Sequence, residues 1–134
     1  MFKMAAQVND KPSAEAQIKR KLKAIYDKSG VVGGCLVPAG GSETGTGYLR
    51  YHLRYPGSGE ANTTLHRAVF VLEHRRPDLM RNRDAGDVSH RCGNKRCVQI
   101  NHLVLETSAL NHSRRNCHDE GHCFDCQPPC IFAP

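Results

Sequence analysis

The chain has 134 residues and a mass of 14.9 kDa, the size of one domain or of one domain with a short appended module. Leu, Ile, Val and Phe make up about a fifth of it and Trp is missing, which excludes a large hydrophobic core as the main source of stability and calls for staples. The net charge of +6 and pI near 9.1 suit a soluble basic protein or, more sharply, a polyanion binder whose cations displace counterions from phosphates.

Seven Cys and eight His are the candidate staples. An odd cysteine count argues against a secreted disulfide framework. Met1 to Lys11, expected to fray, lacks the apolar stretch and cleavage site of a secretory signal. No apolar run approaches a bilayer span, so no membrane partner is expected. The chain therefore reads as an intracellular protein of a reducing compartment (the nucleus in a eukaryote), where thiols mixed with imidazoles act as zinc ligands.

Ser13 is placed to cap a helix running to about Lys28, with Ala14, Ile18, Leu22, Ile25 and Tyr26 at helical period and Gly30 as its stop signal. Its other faces carry Lys19, Arg20, Lys21 and Lys23, either a solvated surface or a basic arm lying on DNA. Gly30 to Pro38 reads as one short strand, followed by a Gly/Ser/Thr turn from Ala39 to Gly47. Tyr48 to Tyr55 alternates with period two. Leu49, Tyr51, Leu53 and Tyr55 form a core face; Tyr48, Arg50, His52 and Arg54 form a polar face suited to phosphates and base edges. Pro56 to Asn62 reads as a turn-rich loop. Thr63 or Thr64 caps a second helix from Leu65 to about Arg75, whose stripe is Leu65, Ala68, Val69 and Leu72 and which Pro77 closes. Met80 to Gly86 is a polar, basic loop.

From Asp87 the chemistry becomes dense. Cys92, Cys97 and His102 fall at C-x4-C-x4-H spacing, three ligands of a tetrahedral zinc, and Cys35 is the one cysteine upstream that can complete the set. The tail holds Cys117, Cys123, Cys126 and Cys130 as C-x5-C-x2-C-x3-C, read as a second zinc site, with His118 and His122 as alternative ligands and disulfides as the competing reading. Leu103-Val104-Leu105 reads as a strand, and Thr107 or Ser108 caps a third helix to about Asn116 that carries Asn111, Arg114 and Arg115. A strand, metal loop, strand and helix in that order can bring His90 beside Asn111, rimmed by arginines. An imidazole of near-neutral pKa suits a general base for water, and an Asn carbonyl oxygen suits Mg²⁺.

Ser89-His90-Arg91-Cys92, Asn94, Arg96-Cys97, His102-Leu103, Glu106, Asn111 and Arg115-Asn116-Cys117, with Gly34-Cys35, Gly47-Tyr48 and Leu65-His66-Arg67 upstream, resemble the His-Cys box of homing endonucleases in the ββα-metal (HNH-like, His-Me finger) nuclease superfamily. The resemblance spans roughly Val31 to Cys130. It implies a small zinc-stapled α+β fold with little hydrophobic core, in which an antiparallel β-ribbon enters the DNA major groove, the groove that distinguishes all four base pairs. The expected organisation is a basic N-terminal helix at 1–30, read from its capping and periodicity, followed by the nuclease domain with the first zinc at 31–116 and a zinc loop at 117–134. By the same resemblance His90 is the general base and Asn111 holds one catalytic Mg²⁺ (or Mn²⁺). Arg50 or Arg54 contacts the scissile phosphate of double-stranded DNA. Cys35, Cys92, Cys97 and His102 hold the first structural Zn²⁺, and Cys117, Cys123, Cys126 and Cys130 the second. Arg50, His52, Arg54, Arg114 and Arg115 are the expected DNA contacts. The pattern departs from the family at Gln99-Ile100-Asn101-His102, which lacks a proline, and at a second zinc set in which cysteine stands for histidine. With only Ile131 to Pro134 after the last cysteine, a homodimer is expected to use a surface other than a long C-terminal tail. A zinc-stabilised DNA-binding module without catalysis is the competing function; it needs neither His90 nor Asn111.

Overall fold

The Ser13 hydroxyl starts the first helix. In the computed structural model, which describes residues 12–132, it accepts the Ala16 N–H at 3.1 Å, an N-cap bond, and α1 runs over Ala14–Asp27. The fraying expected of Met1 to Lys11 lies outside the described residues. Ile18, Leu22 and Ile25 recur at three- and four-residue steps and are buried, while Lys19 and Lys23 lie in solvent beside Glu15 and Asp27, one turn away. The Tyr26 hydroxyl donates to Glu73, and Arg75 Nε donates to Glu15 at 2.9 Å; both partners belong to the end of the second helix, so α1 is docked at two points.

The segment expected to be one strand is a hairpin. β1 (Ser29–Val32) pairs antiparallel with β2 (Cys35–Pro38), Val32 opposite Cys35. Gly33 and Gly34 both adopt positive φ, 57° and 82°, the backbone a two-residue reversal between twisted strands requires. The apolar run Val31 to Val37 hid this turn because glycine reads as a gap rather than a polar break.

β3 (Arg50–Tyr55) has the expected two faces, with Leu53 and Tyr55 buried and Arg50, His52 and Arg54 exposed. The loop expected after it closes at once. Gly59–Thr64 is a strand, β4, pairing with β3 from Arg50↔Thr64 to Tyr55↔Gly59. Gly-Glu-Ala-Asn-Thr-Thr carries no apolar alternation, so it forms a strand because β3 supplies its ladder. α2 (Leu65–His74) follows directly. Its Leu65, Ala68, Val69 and Leu72 are buried as the periodicity requires, and Phe70 and Val71 are buried as well. Pro77 opens a 3-10 turn, Pro77–Met80, and a second one spans Arg83–Ala85. The Arg67 guanidinium holds this stretch by donating to the carbonyls of Leu79, Asn82 and Gly86 at 3.0–3.2 Å.

β5 (Asp87–His90) and β6 (Leu103–Glu106) form the third antiparallel pair, His90 opposite Leu103 and Asp87 opposite Glu106. α3 (Ser108–Glu120) begins at Thr107, whose hydroxyl accepts the Leu110 N–H at 3.2 Å, and ends at Gly121 in the left-handed region. It outruns the expected end at Asn116 by a turn, because Cys117 through Glu120 contain no helix breaker before that glycine. The result is an α+β fold of three two-stranded antiparallel sheets and three helices among the described residues. Its hydrophobic core is one cluster drawn from α1, β3, α2, the first 3-10 turn and β5–β6. Beyond Thr107, only Arg114, Cys117 and Cys126 are buried among the described residues, so that part shows no apolar core of its own and its cysteine cluster is the candidate staple. Among the described residues, no helix is long and apolar enough to cross a membrane.

Candidate functional site

Two donor clusters stand where the spacing placed them. Cys35 at the start of β2, Cys92, Cys97 and His102 bring their ligand atoms within 4.8 Å of one another. His102 Nδ1 lies 3.5 Å from Cys97 Sγ and 3.7 Å from Cys35 Sγ. The Gln99 N–H donates to Cys97 Sγ at 3.5 Å, and the Val98 N–H donates to the Leu36 carbonyl at 2.8 Å, fastening the loop to the first hairpin. The hydrogen bond from the Cys92 thiol draws Cys97 below the ordinary thiol range and pushes Cys92 up in turn. Three thiols and an imidazole at this separation fit zinc.

The second cluster is Cys117 on α3 with Cys123, Cys126 and Cys130, again within 4.8 Å. Backbone N–H groups of Phe124 and Cys130 donate to Cys117 and Cys123 sulfurs at 3.3 and 3.5 Å, and N–H donors from Cys130 and Cys126 lower Cys123 to about 6. Amide donors aimed at sulfur are the supporting shell of thiolate sites. Neither alternative histidine joins this set. His118 Nε2 donates to the Arg91 carbonyl at 2.8 Å, and His122 packs on Phe124.

A cleft lies between the β3–β4 ribbon and the residues of β5 and α3. His90 ends β5, is 8% exposed, and its Nε2 sits 3.1 Å from the Cys97 carbonyl oxygen. A carbonyl only accepts, so Nε2 carries the hydrogen and the lone pair is on Nδ1. Burial lowers the imidazole to about 4, below the near-neutral value expected from the sequence, and favours its neutral form. The His66 ring of α2 lies against it, tilted by 42° with centroids 4.2 Å apart, and Tyr48 stacks on both. His66 donates from Nε2 to the Val88 carbonyl at 3.0 Å and leaves a buried Nδ1 without a partner. Burial, then the His90 ring, keeps His66 well below the ordinary histidine range.

Asn111 lies in the first turns of α3 and lines two adjoining grooves. One contains Tyr48 and His90; the other contains Tyr48, Arg50, His52, His66, Arg67 and Asp87. The structure thus separates the two ribbon arginines. Arg50 shares a groove with Asn111, whereas Arg54 lies further along β3, opposite Glu60. His52 faces the same side as Arg50, but Asn62 and Glu60 oxygens, each at 2.7 Å, occupy its two nitrogens and raise its pKa, Asn62 first. Arg115 is exposed on α3. Arg114, expected at the DNA surface, is instead 2% exposed. Its guanidinium grips Glu106 with bonds of 2.5 and 3.0 Å and donates to Cys130 Sγ at 3.5 Å, so its charge is committed inside the fold.

Two residues of the cleft carry no site role from the sequence. His66 enters only within the Leu65-His66-Arg67 segment of the resemblance; it sits at the second position of α2, beside the apolar stripe, and is buried there. Asp87, whose Oδ2 accepts from Asn111 Nδ2 at 3.1 Å, gave no signal, because only the return of α3 onto β5 brings the two together.

These features define a class: a small α+β protein with two Cys/His clusters suited to zinc and a polar, histidine-bearing cleft between a basic ribbon and a strand–loop–strand–helix unit. A family model described as the zinc-binding loop region of homing endonuclease matches residues 34–132. The chain belongs to this homing-endonuclease family of the His-Me type, and its role is nuclease-related. No curated protein and no solved structure gives a match.

Proposed function

We propose that the protein is a DNA endonuclease that hydrolyses phosphodiester bonds, sequence-specifically and of the homing type, with His90 as general base. One observation carries the reading: the Cys97 carbonyl fixes the His90 tautomer, so the basic Nδ1 is free in a groove that Asn111 also lines. In the reaction, His90 Nδ1 takes a proton from the attacking water. Arg50, in the adjoining groove, binds and orients the scissile phosphate. Asn111 offers its side-chain oxygen to Mg²⁺, which when bound supplies Lewis-acid stabilisation of the phosphoryl oxygens and the leaving 3′-oxygen. A hard carbonyl donor at a cleft that receives phosphates fits that ion. The β3–β4 ribbon reads the major groove of double-stranded DNA with Arg50, Arg54 and the His52–Asn62–Glu60 group, while Arg115 adds a phosphate contact from α3.

The test is cleavage of whole genomic DNA with added Mg²⁺ by the zinc-loaded protein and by His90→Ala. Genomic DNA is chosen because a long target is missing from most plasmids. Cutting by the wild type alone supports the reading, and sequencing the new ends gives the site. Equal cutting by both removes His90 from the base role. No cutting by either, with both folded and DNA-bound, makes the protein a zinc-stabilised DNA-binding module.

A further inference from the structure

The metal site assigned above to Asn111 has a weakness. A carboxamide on a helix surface rotates freely about χ1 and χ2, and either its oxygen or its NH₂ can face the cleft. The Asp87 carboxylate removes that freedom. Asn111 Nδ2 donates to Asp87 Oδ2 at 3.1 Å, and among the described residues this is the one hydrogen bond the Asn111 side chain makes. Flipping the amide would set two oxygens against each other at the same separation, one of them charged. A carboxylate has no hydrogen to give, so the flip is settled by chemistry and Asn111 Oδ1 turns away from Asp87.

Asp87 is itself well anchored. It is the first residue of β5, paired with Glu106 of β6. The preceding Gly86 has φ +126°, and any Cβ there would lie 2.7 Å from the Glu106 carbonyl oxygen. Arg67 Nη1 holds the Gly86 carbonyl at 3.0 Å. The backbone entering β5 is therefore fixed on both sides. Asp87 forms no salt bridge within 4.0 Å among the described residues, although Arg50, Arg67 and Arg83 line the same groove. Its charge is left to the cleft instead of being neutralised by a bidentate arginine.

We propose that Asp87 is the positioning residue of the catalytic metal site: it orients Asn111 so that the amide oxygen faces the divalent cation. The inference rests on the reading of Asn111 as that ligand and extends it to a residue outside the His-Cys motif. Partners that orient a metal ligand are worth about 10- to 100-fold in metal affinity.

The experiment uses the zinc-loaded full chain, with Asp87→Ala as the disrupting variant and Asp87→Asn as the conservative one, since its own amide oxygen can still accept from Asn111 Nδ2. The structural readout is the Asn111 side-chain NH₂ pair in ¹H–¹⁵N spectra, with short duplex DNA and substoichiometric Mn²⁺ as the probe. The functional readout is the Mg²⁺ concentration for half-maximal cutting of genomic DNA. Mn²⁺ is expected to broaden the Asn111 pair in the wild type and in Asp87→Asn, and to lose that effect in Asp87→Ala. The Mg²⁺ requirement of Asp87→Ala is expected to rise about 10- to 100-fold, with Asp87→Asn close to wild type. If Asp87→Ala loses zinc or unfolds, Asp87→Ser makes the same comparison, because its hydroxyl is too short to reach Nδ2. Wild-type broadening and Mg²⁺ dependence in a folded Asp87→Ala or Asp87→Ser would overturn the role of Asp87 and leave the nuclease reading standing. Absence of broadening in the wild type would remove the cation from Asn111, and with it both inferences.

Discussion

Arg114 separates a structural cation from a DNA-binding one more sharply than any other residue here. Its two bonds to Glu106, of 2.5 and 3.0 Å, engage both carboxylate oxygens, and the two side chains are only 2% and 5% exposed. Arg114→Ala strands a buried carboxylate, a change that costs about 3–5 kcal/mol out of a total stability of about 5–15 kcal/mol for a domain. With a urea dependence of about 2 kcal/mol per molar for a chain of this size, the unfolding midpoint falls by roughly 2 M. The loss is mostly the penalty of an unpaired charge. The double variant Arg114→Met/Glu106→Leu therefore regains most of it, since an apolar pair of similar volume is often neutral or better. It does not regain the N–H donor to Cys130 Sγ, so the second zinc leaves faster to a chelator than from the wild type. The assay is urea unfolding of zinc-loaded protein, followed by chelator-driven zinc release and DNA affinity against salt. The double variant should keep the wild-type salt slope. An Arg114→Ala protein with an unchanged midpoint and a shallower salt slope would refute the reasoning and return Arg114 to the DNA surface.

Arg115→Ala, by contrast, should leave the midpoint unchanged and reduce the magnitude of the salt slope by about 0.9, the loss of one phosphate contact; an unchanged slope would take Arg115 off the interface. Arg50→Ala should cut the single-turnover cleavage rate at saturating DNA by about 10²–10³, the typical loss for one transition-state donor, whereas Arg54→Ala should weaken binding and spare the rate; rate losses in the opposite order would reassign the phosphate contact. Gly93 has φ +73°, and a Cβ there would sit 2.6 Å from the His118 ring. Gly93→Ala should cost about 1–3 kcal/mol from backbone strain alone, with the contact added, and urea unfolding within error of wild type would show that the loop relaxes freely. Cys97→Ser should lower bound zinc from two equivalents to one by elemental analysis and collapse amide dispersion in NMR spectra, because structural zinc binding contributes folding free energy directly. A well-dispersed spectrum with one zinc would make the first site dispensable.

The legible parts of this fold are those set by local pattern. Ser13, Ile18, Leu22 and Ile25 announce α1; the alternation from Leu49 to Tyr55 announces β3; the cysteine spacings announce both donor clusters. What stayed hidden depends on partners distant in sequence. β4 is a strand only because β3 lies beside it. Arg114 looks like one of a surface pair with Arg115, yet one helical step of about 100° turns one of them inward onto Glu106 and leaves the other in solvent. The choice between Arg50 and Arg54 could not be made from a face that carries both, because it depends on which end of the ribbon α3 approaches. Asp87 is one acidic residue among thirteen until α3 folds back on β5.

The staples and the cleft are one mechanical unit, and Arg91 is the joint. Its guanidinium donates to the Asn101 carbonyl beside the first cluster and to the Pro129 carbonyl beside the second, each at 3.0 Å. Its own carbonyl accepts from His118 of α3 and from the Ile131 N–H. The residue just before it is His90, whose tautomer is set by the carbonyl of Cys97, itself a member of the first cluster. Every backbone group that orients the imidazole is thus within a residue or two of a cluster ligand or of Arg91. A chain with so little apolar surface cannot hold a buried, neutral histidine at the mouth of a polar cleft by packing alone, because the backbone around it would relax toward water. Fixing that backbone at two clustered points supplies the rigidity a large core supplies elsewhere, and it leaves the cleft itself open and polar.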